Sequence, residues 1–364
     1  MVDRSGVNRP SAPKQETSKG IAGLMDANPV LARFVRGTWL ENRHRGAFCV
    51  ANARGEVLAS AGDIDFPVFP RSAIKAIQAL PMFETGSVAR FGLEADAVAL
   101  ACASHHGEPE HVTLAANMLA AIGLDVSALE CGTHPPSNPA ARKALAEAGE
   151  KPTALHNNCS GKHAGMLSVA RALGIDTHGY VERGHAVQKR VRAAVEAVLG
   201  EGLTEDRCGT DGCSIPTWAA PLKSFAAGFA RMATGEGLSS SHAQAAQRIF
   251  DAIVTHPHLI AGTDAFDTEV IAAFEGRVIT KIGAEGVFCG ALRDKGLGFA
   301  LKCDDGNRDA ATAMIAALLT AIASPTEAQR AVLARFTRAT ARNWRGIEVG
   351  VMEAVPDAFA AVRV

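Results

Sequence analysis

The sequence predicts a mixed α/β (α+β) fold: an antiparallel sheet drawn from both ends of the chain, packed by helices, with a helical lobe between. Three observations carry this. Strand-like segments cluster near the start and again after residue 276. The long middle section carries apolar residues at three- and four-residue spacing. Strands and helices do not alternate along the chain, as a doubly wound parallel sheet would require.

Taken in order, "RFVRGTWLENR" and "GAFCVAN" lead through the turn "ARGE" to "VLASAG", a pattern of antiparallel hairpins. Helical spacing follows over 109–122, 138–148, 161–173, 185–199 and 241–254, broken by glycines and by "HPPSNP" (134–139). "GRVITKIG", "GVFCGAL" and "GLGFALKC" (276–303) read as a three-strand meander with short glycine-containing turns. Two further helices, 308–323 and 326–336, precede a last strand, "GIEVGVM". No repeat or linker divides the chain. Residues 1–25, polar and rich in Pro, Ser and Gly, are expected to form a disordered tail. Residues 26–364 are expected to be one catalytic unit with two lobes, mainly helical over about 105–275.

A net charge of −1 gives no field for nucleic acid or anionic membrane. No signal-like apolar run opens the chain, and the longest, "MIAALLTAIA" (314–323), suits a buried helix rather than a membrane span. A cytoplasmic protein is expected. Eight cysteines in a chain of this kind are expected to be reduced, most of them small buried residues.

Three stretches can carry chemistry. "FPRSAIKAIQALP" (69–81) places Ser72 at a Pro-bounded helix start and Lys75 one turn on. A serine hydroxyl needs a base to become a nucleophile, and a lysine at this spacing reaches it once burial or a second cation has removed its own proton. The plain alternative is a helix cap followed by a surface lysine; a second Ser-x-x-Lys, Ser11 to Lys14, falls in the tail. "TKIGAEG" places Lys281 and Gly283 on a strand. Penicillin-binding proteins and serine β-lactamases combine these two elements. Their middle Ser-x-Asn is missing, and "ASHHGE" offers Ser104 and His105 instead.

The third is "NNCSGKHAGM" (157–166) with "GTDGCSIP" (209–216). A phosphate loop fails, because His156 and His163 stand where it needs a glycine and a hydroxyl. Cys159, Cys213 and Asp211 are zinc-type donors without zinc-finger spacing, so a metal site and two ordinary loop cysteines both remain open. "CDDGNRD" (303–309) reads as a turn into a helix cap, and "THPHL" (255–259) as a helix exit.

"RGTWLENRHRGAFCV", "RSAIKAIQALP", "CASHHGE", "NNCSGKHAGML", "GTDGCSIP" and "KIGAEGVF" together resemble, in order, the landmarks of the asparaginase II family, the rhizobial-type L-asparaginases. These differ from the bacterial type with threonine nucleophiles. The resemblance implies a fold like that of serine β-lactamases, penicillin-binding proteins and glutaminases, and hydrolysis of L-asparagine to L-aspartate and ammonia. It implies Ser72 as nucleophile, Lys75 as base, and Ser104 and Lys281 completing the polar centre. It implies one Zn2+ per chain on Cys159, Lys162 and Cys213, with Asp211 beside them. This zinc would shape the pocket rather than generate the nucleophile. Arg71, His163 and Lys281 are candidates for the substrate's α-carboxylate. Where the family carries a cysteine before a "T-x-x-x-x-A-F-(D/E)-G" motif near the active site, this chain has Asp267, a further substrate-side candidate. A homodimer is expected. The rival readings are a zinc hydrolase with metal-activated water and a zinc-stabilised amino-acid-binding protein.

Overall fold

The computed structural model describes residues 27–360, 362 and 364. The expected tail and its Ser11–Lys14 pair lie outside them.

An eight-stranded antiparallel sheet forms from both ends of the chain. Its strands are β1 (Val30–Arg36), β2 (Trp39–Asn52), β3 (Val57–Ala61), β4 (Val278–Gly283), β5 (Val287–Leu292), β6 (Leu297–Cys303), β7 (Arg338–Arg342) and β8 (Glu348–Ala354). The order is β7-β8-β1-β2-β6-β5-β4, with β3 also paired to β2. β2 is the hinge of this arrangement. Its first half pairs with β1, and its second half pairs with both β6 and β3. The chain's start and its late meander thus meet in one sheet, with β4 at an edge.

Side-chain alternation sorts the two faces of the sheet. Phe48, Val50, Phe288, Leu292, Phe299 and Leu301 point to one face, where helices 308–322 and 327–337 cover them. Ala47, Cys49, Ala51, Cys289, Ala291 and Ala300 point to the other. Small residues there let the helix Leu222–Thr234 lie close against the sheet. The sequence reading omits this central helix, "LKSFAAGFARMAT", which is amphipathic: Lys223, Arg231 and Thr234 share one stripe, and most of its other residues are buried between the sheet and the helical lobe.

The other expected helices appear as Pro109–Ala121, Pro139–Glu147, Ser160–Leu173, Ala186–Leu199 and Ser240–Thr255. One expectation is refined. The stretch 71–81 is not a continuous helix: a 3-10 turn, Arg71–Ile74, leads into the short α-helix Lys75–Gln78, and a separate helix starts at Leu80. All eight cysteines are free, and all but Cys208 are buried. Among the described residues no helix is long and apolar enough to cross a membrane.

Candidate active site

Ser72 lies in the 3-10 turn and lines a cleft of about 280 Å3, together with Ser104, His106, Asn158 and residues 282–286. Arg71, just before it, is held at φ +51°, a conformation a residue with a Cβ adopts only where its surroundings impose it. The imposed contact is visible: Arg71 Nε and Nη2 both donate to Asp211 Oδ1, at 3.0 and 2.9 Å. The nucleophile turn is thereby tied to the 209–216 loop.

Lys75 follows one turn later and is fully buried. Its ammonium donates to Ser104 Oγ at 3.0 Å, to the Asn158 carbonyl at 3.4 Å and to the Ala103 carbonyl. It joins three segments that are far apart in sequence. Ser104 is itself fixed, its N–H donating to the Ile260 carbonyl at 2.9 Å.

Lys281 sits on edge strand β4, which runs against the Ser72 turn. Gly283 permits this approach: a Cβ there would stand 2.5 Å from the Pro70 carbonyl oxygen and 3.1 Å from the Ala73 nitrogen. Burial pulls Lys281 down to about 8, against the opposing charge of Asp267 and with help from Lys75. Asp267 is buried 3.7 Å away and accepts the Ile282 N–H at 2.9 Å. Burial raises the Asp267 carboxyl above its usual range, and its second oxygen has no hydrogen-bond partner.

The glycine-bearing stretch from which metal ligands were expected opens the helix Ser160–Leu173. Gly161 is there for packing: a Cβ would lie 2.3 Å from the Leu100 carbonyl oxygen. The close approach turns Cys159 and Lys162 toward the 209–216 loop. Lys162 Nζ donates to Cys213 Sγ at 2.9 Å, and all three residues are buried. A hydrogen bond from Cys213, reinforced by the Lys162 and Lys75 charges, holds the Cys159 thiol well below its ordinary value. The same bond, with burial, pushes Cys213 up. Burial alone would lower Lys162, but the charges of Cys159, Cys213 and Asp211 outweigh it and raise the amine. Two buried sulfurs, an amine and a neighbouring carboxylate form a donor set that suits zinc.

Two sequence candidates lie elsewhere. His163 is buried away from the cleft wall, with Nδ1 2.6 Å from the Tyr180 hydroxyl and the rings edge to face. The Arg71 guanidinium is occupied by Asp211. Sequence reasoning assigned no role to Glu285 and Arg308, which line the cleft, and did not foresee that His105, the expected neighbour of Ser104, stacks on His111 and through it on His258. His44, Cys303 and Asp305 bring three further metal-type donors together. Their groups already bond one another, His44 Nδ1 to Asp305 Oδ2 at 2.7 Å and Cys303 Sγ to Asp305 Oδ1 at 3.0 Å. The "CDDGNRD" turn does end in a helix cap, Asn307.

The geometry joins a Ser-x-x-Lys turn, a Lys-x-Gly edge strand and a cysteine–lysine cluster, and the L-asparaginase II family model matches residues 32–354. The chain belongs to that family. No curated protein matches the sequence. Among solved structures, Mglu in its native form is 15% identical, with 72% of this chain and 60% of that one covered and a TM-score of 0.41. This chain thus spans under two thirds of Mglu's length. A β-lactamase from Mycobacterium bovis is 15% identical over 76% of this chain and 94% of its own, with a TM-score of 0.38.

Proposed function

We propose that this asparaginase II protein hydrolyses L-asparagine to L-aspartate and ammonia through a serine ester. The observation that carries the reading is the junction of Ser72, which lines the cleft, with a fully buried Lys75 three residues on, closed by the Lys281 strand. Ser72 Oγ attacks the side-chain carbonyl carbon while the neutral Lys75 amine takes the hydroxyl proton. That proton passes to the leaving nitrogen, and ammonia departs as the C–N bond breaks. Water then attacks the ester carbonyl, gives its proton to Lys75, and releases aspartate as Ser72 Oγ is reprotonated. Backbone N–H groups of Ser72 and of the strand after Lys281 are the candidates for the oxyanion. Ser104 orients the Lys75 amine.

Cys159, Lys162 and Cys213 would hold one zinc, with Asp211 beside it. Lys162 must lose its proton to serve as a ligand. Bound there, zinc would supply charge and rigidity behind the cleft. Asp211 would carry that rigidity to the nucleophile turn through Arg71.

The test is ammonia release from asparagine, with glutamine alongside, by the purified protein and by Ser72→Ala. The variant should lose turnover and keep its thermal transition. Near-normal release by the variant would remove the covalent mechanism, and would favour metal-activated water if chelation then stopped it.

A further inference from the structure

Two of the side chains that read as anchors for the substrate's α-carboxylate are engaged elsewhere, Arg71 with Asp211 and His163 with Tyr180. The cleft has charges of its own. Glu285, in the turn between β4 and β5, and Arg308, the first residue of the helix 308–322, both line the cleft that holds Ser72. Among the described residues of that wall these two carry the formal charges, one of each sign. They form no ion pair with one another, and among the described residues no hydrogen bond holds either charged group.

Both are held in place by backbone rather than by each other. Glu285 is fixed at φ +61°, a conformation unfavourable for a side chain with a Cβ, and its carbonyl accepts from Lys302 Nζ at 2.7 Å. Arg308 begins a helix capped by Asn307, whose Oδ1 accepts the Ala310 N–H at 2.9 Å. Two opposite charges that share a cleft without pairing suit a ligand that carries both signs. A free α-amino acid does so on a single carbon. A guanidinium forks onto a carboxylate, and a carboxylate accepts from an ammonium.

We infer that Arg308 and Glu285 form the subsite for the substrate's free α-carboxylate and free α-ammonium. The substrate class is then the zwitterionic amino-acid amide, and amides with either group missing or masked are poor substrates. This rests on the amidohydrolase reading and deepens it.

The test compares three amides. L-asparagine carries both groups, succinamic acid lacks the α-amino group, and L-asparaginamide masks the carboxylate. Glu285→Gln should raise KM for asparagine about 10- to 100-fold, with kcat less affected, and leave kcat/KM for succinamic acid unchanged. Arg308→Gln should do the same to asparagine and leave asparaginamide unchanged. Arg308→Lys, which keeps the charge and loses the fork, should fall between. Equal losses on the substrate that lacks the partner group would overturn the assignment. A second readout needs no turnover: calorimetric titration of Ser72→Ala protein with L-aspartate, with and without each cleft substitution. Weakening of about tenfold or more supports the subsite, and unchanged binding overturns it. If the wild type releases ammonia from none of the amides, the activity reading falls and the aspartate titration still decides the subsite.

Discussion

Replacing Asp267 with asparagine should move the pH dependence of turnover to lower pH. Asp267 and Lys281 are both buried, with carboxylate and ammonium 3.7 Å apart. At an effective dielectric constant of ~20, two unit charges at that distance interact by about 4.5 kcal/mol. That corresponds to about three pKa units. The realised change is smaller, because burial already raises Asp267 and weakens its hold as an anion. The side-chain amide introduced by Asp267→Asn would also keep an acceptor for the Ile282 N–H. A net fall of about one to two units is expected for Lys281.

The sign follows from the causes. Burial lowers Lys281 to about 8 while Asp267 opposes that fall, so removing the carboxylate lowers it further. Lys75, Cys159, Arg308, His106 and Cys102 also sense or set the charge here and are unchanged by the substitution. Lys281 is the lysine whose proton burial loosens, and the rise in turnover is expected to follow the loss of that proton. Wild-type kcat/KM should therefore rise through about pH 8. In Asp267→Asn it should rise about one to two units lower. The assay is ammonia release from about pH 5 to about pH 10, with a melting curve at each pH. A limb that stays in place, or moves up, would refute the coupling. The same shift makes stability rise with pH above about 8, because there the unfolded chain binds the lysine proton that the folded one releases.

Lys75→Met should abolish turnover while keeping the fold, since the methionine fills a fully buried site with similar volume; an active variant would remove lysine as the base. Gly283→Ala should cut kcat by about tenfold or more, because the added methyl meets the Pro70 carbonyl at 2.5 Å and forces the strand off the Ser72 turn. Unchanged kinetics would show that the turn gives way freely. Elemental analysis should find one zinc per chain, and cobalt substitution should give a thiolate charge-transfer band that Cys159→Ser abolishes. Chelation should raise KM more than it lowers kcat, and a zinc-free protein that is folded and fully active would exclude the site.

Much was legible in the sequence because it is set by local rules. Period-2 alternation in β2, β5 and β6 and helical spacing over 109–122 and 185–199 announce which face each element buries. Pro70 and Pro81 frame the Ser72 turn, and the Ser72–Lys75 spacing needs only one helical turn to be read. What the sequence could not decide depends on contacts between distant segments. The helix 222–234 is placed by its contacts, its apolar face lying on the small residues of the sheet and against the lobe. Burial, rather than residue type, loosens the proton of Lys281, and the fold brings Asp267 beside it from another element to oppose that. Arg71 carries a charge that reads as a substrate anchor, yet the fold commits it to Asp211, 140 residues away. Glu285 and Arg308 lie in "TKIGAEG" and "CDDGNRD", stretches read there for other residues: a strand turn and a helix start place them on one cleft wall, and only the tertiary structure brings those two ends together.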